Sequence, residues 1–274
     1  MGQRKRRLQA FKAEHPICCY CAKAPTETID HLPNRDCFVG RAFPEGFEFP
    51  ACSTCNSKSR QAEQIVAIYL ALLARDGFPP EERNLTEKAI ALKNNFPQLI
   101  PDLNLSANQK RRAFEYHDIG YLESQTFAES PVIGINPDVW FAFDFVNLKL
   151  LSALYYLHME APLPHSHFVA LRCVPTTKKN SFDEISPMVN ALPNFKRGQR
   201  RNTNLGTQFE YKWARTGSND KQGFAYVCVL RQCMLLYGAA IEEVTNPDME
   251  MTSAGEIWAE INQKLPVWLD AISS

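Results

Sequence analysis

Two short cysteine pairs constrain this chain more than anything else in it: Cys18-Cys19-Tyr20-Cys21 and Cys52-Ser53-Thr54-Cys55. Each contains a C-x-x-C, through Cys18 and Cys21 and through Cys52 and Cys55. A two-residue turn sets both thiolates on one edge of a tetrahedral ion, and two such turns complete a structural zinc (Zn2+) site. A redox pair and plain buried thiols are the alternatives. Redox chemistry fits poorly, because neither pair opens a helix in a β-α-β pattern. Cys19 competes with Cys18 for the same corner. The 30 residues between the pairs (22–51) exceed the gap of a minimal zinc ribbon, so the insert is expected to carry structure of its own. Cys37, Cys173, Cys228 and Cys233 read as small buried hydrophobes.

Inside the insert, TETIDHLPNRDCF reads as a strand that runs into Asp30-His31 and breaks at Pro33. A second short strand fits Phe47-Glu48-Phe49, and Asn56 follows the last cysteine at the head of a long helix. Taken alone, Asp30-His31 is a strand-end turn held by aspartate hydrogen bonds. Within the cysteine frame it becomes one corner of a strand-strand-helix hairpin, with Asp30, His31 and Asn56 converging at its open side. Tyr20, Phe43, Phe47 and Phe49 are expected to pack this hairpin, which buries little without its metal.

CCYC, TIDHLPN and FPACSTCNSKS together resemble the HNH endonuclease superfamily, and more narrowly its zinc-clamped bacterial members, over residues 15–75. The resemblance implies a ββα-metal core. It implies that Asp30 and Asn56 bind a catalytic Mg2+ or Mn2+ and that His31 is the general base that activates water. One departure stands out: where the family carries the middle asparagine that braces the histidine loop, this chain has Phe47. A neutral imidazole accepts a proton from water near pH 7, and a hard divalent ion on a carboxylate and an amide oxygen keeps open positions for a phosphate. The expected activity is therefore metal-dependent hydrolysis of phosphodiesters in DNA, with RNA as an alternative substrate. Defence against phage or other foreign DNA follows by analogy alone. The competing reading is a zinc-stabilised nucleic-acid- or protein-binding module without catalysis, which Phe47 favours. A third is a protein-interaction scaffold with its main surface in the C-terminal half.

Composition sets the outer bounds. The 274 residues are 45% hydrophobic and carry 30 basic and 30 acidic side chains, so no global field draws the protein to nucleic acid or an anionic membrane. Attraction must come from local clusters. Arg35, Arg41, Lys58 and Arg60 surround the site in sequence and are candidate phosphate contacts. Arg4 to Arg7, Lys110 to Arg112, and Lys196, Arg197, Arg200 and Arg201 are weaker extensions of that track. The basic N-terminus lacks the apolar run of a signal peptide, and Gly2 is not followed by the serine or threonine of a myristoylation site. The most apolar span, 138–160, is interrupted by Asp144, Asn147, Lys149 and Ser152, which argues against a membrane crossing. A cytoplasmic protein is expected, with nucleic acid as partner, no membrane, and a protein partner through the C-terminal region.

Three textures divide the chain: 1–62, the zinc and ββα-metal module running into a helix over 56–76; 62–162, helical; and 163–274, α+β. The whole is expected to be α+β. QAEQIVAIYLALLAR places Ile65, Tyr69, Leu72 and Leu73 on one stripe, stopped by Gly77 and Pro79-Pro80. Helices also fit NLTEKAIALKNNF, SANQKRRAFEYHD with a Ser106 cap, and the apolar segment opening at Asn136-Pro137. HFVALRCV, TQFEYKWART and FAYVCVLRQCMLLYG read as strands with antiparallel pairing, and the tail as a helix broken at Pro266. His165 and His167 read as exposed loop imidazoles. His117 and His158 read as packing residues, and His15 as a substitute or supporting zinc group.

Overall fold

A computed structural model describes residues 2–74, 77, 82–117, 126, 134–176, 195–198, 205–216, 223–243 and 251–273. An exposed basic helix, α1 (Gln3–Glu14), leads into the two-stranded antiparallel ribbon of β1 (Thr28–His31) and β2 (Glu48–Ala51). Their register sets Asp30 opposite Phe49 and His31 opposite Glu48. The strand expected over Phe47–Phe49 thus begins one residue later.

The helix expected over 56–76 is two pieces, α2 (Ser53–Lys58) and α3 (Arg60–Leu73). They meet at Ser59, whose hydroxyl turns inward to donate to Glu63 at 2.6 Å. α3 buries Ile65, Val66 and Tyr69, but Leu72 in its final turn is 41% exposed and so falls outside the expected stripe.

The middle helices are α4 (Glu82–Asn95), α5 (Ala107–His117) and α6 (Pro137–Met159). At α5 the Ser106 hydroxyl accepts from the Gln109 N–H while the Gln109 side chain accepts from the Ser106 N–H, a reciprocal cap. At α6 the Asn136 side chain accepts from the Asp138 N–H and Pro137 occupies the first turn, where a missing N–H costs nothing.

α6 is apolar nearly all round because it is covered on two sides, by the large sheet and by α3. Positions 147 and 149 lie about 200° apart around a helix, and the two buried polar side chains there serve opposite neighbours. Asn147 donates to the Arg172 and Tyr237 carbonyls of the sheet. Lys149 reaches the other way, to Asp30 and Glu63.

The sheet is six-stranded and antiparallel, in the order β4 (Lys196–Arg197), β5 (Phe209–Thr216), β6 (Gly223–Leu230), β7 (Met234–Ile241), β3 (Phe168–Pro175) and β8 (Thr252–Ser253). FAYVCVLRQCMLLYG is therefore a hairpin of two strands, turning through Arg231 and Gln232, both at positive φ. The final helix, α7 (Ala254–Ser273), runs through Pro266 without the expected break. The carbonyl that Pro266 leaves without a donor belongs to Asn262, on the exposed side, where the missing bond is open to solvent and costs little. α7 buries Trp258, Ile261, Leu265, Trp268 and Ile272, with Trp258 against Phe145 and Trp268 against Phe141.

The fold is α+β, and one apolar cluster extends from Cys18 to Ile272 through all three stretches of chain. Among the described residues, no helix is long and apolar enough to cross a membrane.

Candidate active site and metal centre

The ligand atoms of Cys18, Cys21, Cys52 and Cys55 all lie within 4.8 Å of one another, as four thiolates around one tetrahedral ion require. The two corners are built differently. After the first, Ala22 takes a positive φ and the Ala24 N–H points at Cys21 Sγ. At the second, Cys52 caps α2, its sulfur accepting the Cys55 N–H. The Cys19 N–H donates to the Pro50 carbonyl, so the first corner is tied to β2. The cluster has the ligands and spacing to hold a metal such as zinc. Cys19 is not part of it; its side chain is fully buried. His15 is not a ligand either, its Nδ1 lying 2.8 Å from the Tyr156 hydroxyl.

The same hairpin carries a cleft lined by Ile29, Asp30, His31, Asn34, Arg35, Asn56, Arg60 and Glu63. Asn56 donates through Nδ2 to the Thr28 hydroxyl at 3.0 Å, which leaves its amide oxygen as the free end. Thr28 and Asp30 are two residues apart on a strand and share a face, so this bond carries Asn56 to the side where Asp30 stands.

Beneath the cleft lies a buried polar cluster. Lys149 Nζ donates to Asp30 Oδ2 at 2.8 Å, to Glu63 Oε1 at 2.6 Å and to Ser59 Oγ at 2.7 Å, over the face of the Tyr20 ring. An ammonium has three donors, and all are used. Tyr20 donates to Asp30 Oδ2, and the His31 N–H to Asp30 Oδ1. Burial alone would raise the Asp30 carboxyl, but Lys149, Tyr20 and the His31 N–H outweigh it and hold the pKa below the usual value. Burial likewise opposes the Lys149 charge, and Asp30 and Glu63 overcome it, so the lysine stays protonated.

A carboxylate offers about four lone-pair sites. What remains toward the cleft is one position on Asp30 Oδ1, one on Glu63 Oε2 beside Asn34, and the Asn56 amide oxygen. These are hard oxygen donors, the type Mg2+ or Mn2+ takes while keeping several waters.

His31 sits at the rim, its ring edge-on to Phe43 at 5.0 Å. Its Nε2 is 3.4 Å from Glu48 Oε1, and Arg7 of α1 grips the same carboxylate. Among the described residues, Nδ1 has no hydrogen-bond partner. Burial lowers the imidazole pKa first and Arg35 second; Glu48 and Asp30 pull the other way, and the balance stays below 6.5. His31 is thus neutral at physiological pH, as a proton acceptor must be.

Comparison with known proteins adds nothing to this picture: no family model and no curated protein matches the chain.

Of the residues singled out in sequence, Asp30, His31, Asn56, Arg35 and Arg60 line one cleft. Lys58 is exposed and donates to Asn262 of α7 at 2.9 Å. The Arg41 side chain lies outside the described residues, as do Arg200, Arg201 and the His117 side chain. His167 is buried, against Tyr155, and not exposed as expected. Phe47 is buried as well, edge-on to Phe209 and Tyr211 of β5.

Sequence reasoning missed Lys149, Glu63, Ser59, Arg7 and the part played by Glu48. For Lys149 the signal was present: a charge inside a helix apolar nearly all round needs buried partners. For Glu63 the signal was its place four residues after Ser59 and seven after Asn56, one helical face. The Arg7–Glu48 contact had none, being made between segments 41 residues apart.

Proposed function

We propose that the chain is a metal-dependent HNH-type endonuclease that hydrolyses phosphodiester bonds in DNA, with RNA as an alternative substrate. The observation that carries this reading is the convergence of His31, Asp30 and Asn56 on one cleft with Arg35 and Arg60, in a hairpin whose chain also brings four cysteines together.

In this reading His31 takes a proton from water through Nδ1, and the water oxygen attacks phosphorus as the bond to the leaving oxygen breaks. Arg35 and Arg60 hold the flanking phosphates. Asp30 and Asn56 would hold a Mg2+ or Mn2+ ion, which when bound would supply charge neutralisation at the phosphate and leaving oxygen. Lys149 keeps Asp30 ionised and fixed in orientation. Zinc on Cys18, Cys21, Cys52 and Cys55 is structural. The proposed setting is the cytoplasm, whose reducing poise keeps such thiols available to a metal.

A second reading, a binding module without catalysis, is favoured by the full engagement of Lys149 with Asp30 and Glu63, which leaves few oxygens for a catalytic ion. Incubation with supercoiled plasmid separates the two. The endonuclease nicks with Mg2+ or Mn2+, stops with chelator, and loses activity by about 10²-fold or more as His31→Ala. Plasmid binding with no metal-dependent nicking establishes the module instead.

A further inference from the structure

The proposed reaction needs the His31 ring held in one orientation and one tautomer. The asparagine that does this in the resembled family is replaced by Phe47, and Phe47 is committed to the core against Phe209 and Tyr211. The β1–β2 register shows what stands in its place. Side chains directly opposite on an antiparallel pair project to the same face with Cβ atoms about 5 Å apart, and the residue opposite His31 is Glu48. Successive side chains on a strand alternate faces, so Glu48 reaches the imidazole and its neighbour does not. Its carboxylate lies 3.4 Å from Nε2, a loose contact of the kind catalytic hydrogen bonds show before substrate arrives.

Glu48 is itself held. Arg7 meets both carboxylate oxygens. Burial would raise the Glu48 pKa, but Arg7 and His31 keep it below the usual value, so the carboxylate is charged. The Phe43 ring closes another side of the imidazole, with Arg35 over its face at 5.2 Å.

Resting on the endonuclease reading, we infer that Glu48, clamped by Arg7, is the positioning residue for His31. It accepts the Nε2 proton, fixes the Nε2–H tautomer and leaves the Nδ1 lone pair for water. A carboxylate behind a working histidine orients the ring and raises its basicity, and losing such a partner costs roughly 10- to 100-fold. The device joins α1 to the site: the helix carrying Arg4, Lys5 and Arg6 is docked beside the histidine through its own Arg7.

The test combines a readout that needs no activity with one that does. In full-length, zinc-loaded protein labelled with 15N-histidine, long-range proton–nitrogen correlation spectra at pH about 8, where imidazole is neutral, report the His31 tautomer. His31→Ala assigns the signal. The expected result is Nε2–H in the wild type and in Glu48→Gln, whose amide oxygen still accepts, and a mixture of tautomers in Glu48→Ala. In plasmid nicking, Glu48→Ala should lower kcat roughly 10- to 100-fold at unchanged KM and zinc content, Glu48→Gln should recover most of it, and Arg7→Ala should fall between. An Nδ1–H tautomer in the wild type, or no tautomer change in Glu48→Ala, overturns the inference. Nicking by Glu48→Ala at the wild-type rate overturns it too. A wild type that never nicks refutes the endonuclease reading, while the spectra still decide the role of Glu48.

Discussion

Lys149 is the residue on which most of the site leans. Its ammonium is fully buried and its three donors end on Asp30, Glu63 and Ser59. Removing one partner of a buried ionic cluster leaves uncompensated charge and typically costs 3–5 kcal/mol, about the whole margin of a marginally stable protein. Lys149→Met should therefore lower stability by about 4 kcal/mol in urea unfolding. Adding Asp30→Asn and Glu63→Gln to that variant should restore much of the loss, since no charge is then left unpaired.

His158 makes a separate pH-dependent contribution. It stacks on Trp213 at 3.8 Å, and burial there, helped by Arg215, pushes its pKa from 6.5 down to about 4. The folded protein keeps this imidazole neutral while the unfolded chain protonates it, so protons favour unfolding between those values. The contribution is unimpaired above pH 6.5 and is lost as pH falls toward about 4. Urea midpoints measured against pH for the wild type and His158→Phe should diverge at high pH least and change relative to each other only within that window. A constant difference across it would contradict the argument.

At the scale of elements, the clamp and the hairpin depend on each other. β1 and β2 are four residues each, too short to stand alone as a two-stranded ribbon, and the four sulfurs fasten their base. We expect a single zinc ion per chain by elemental analysis. Cys52→Ser should lose it and expose the 18–58 segment to proteolysis at temperatures where the wild type resists. Loss of the metal with the segment still protected would show that packing alone holds it.

Much of this level was legible in advance. The C-x-x-C spacing, the Asn136 and Ser106 caps and the α+β texture are local signals, and the structure places the four cysteines and the capped helices where those signals point. What was not legible is where a local rule yields to its surroundings. Pro266 reads as a helix stop but sits on an exposed face that tolerates it. Ser59 divides α2 from α3 although its backbone is helical and its hydroxyl serves Glu63 and Lys149, a break no local signal marks. Asp30 stands out in sequence as a candidate; its ammonium partner, 119 positions away, does not, because pattern in a sequence carries no register between distant segments.

At the scale of the whole molecule, Phe47 joins the hairpin to the sheet. It packs on Phe209 and Tyr211, and nearby the Val39 N–H donates to the Gln208 side chain at 2.7 Å. Phe47→Ala opens a cavity at that junction and should cost about 3–5 kcal/mol, seen as a lower denaturant midpoint with zinc retained. Phe47 is thus a packing residue of the larger fold. An asparagine there would place an amide in an apolar junction, and Phe47→Asn should lower the denaturant midpoint as well.

The reach of Lys149 back to Asp30 also sets an order of events during synthesis. The ribosome delivers the cysteines, the histidine and both strands long before it delivers α6, and until that helix packs, Asp30 and Glu63 face each other without their shared counter-charge. A nascent chain can gather its four cysteines early, yet it acquires a finished cleft only after the middle of the protein has emerged and docked. Whatever the cleft does is thereby withheld from every incomplete copy.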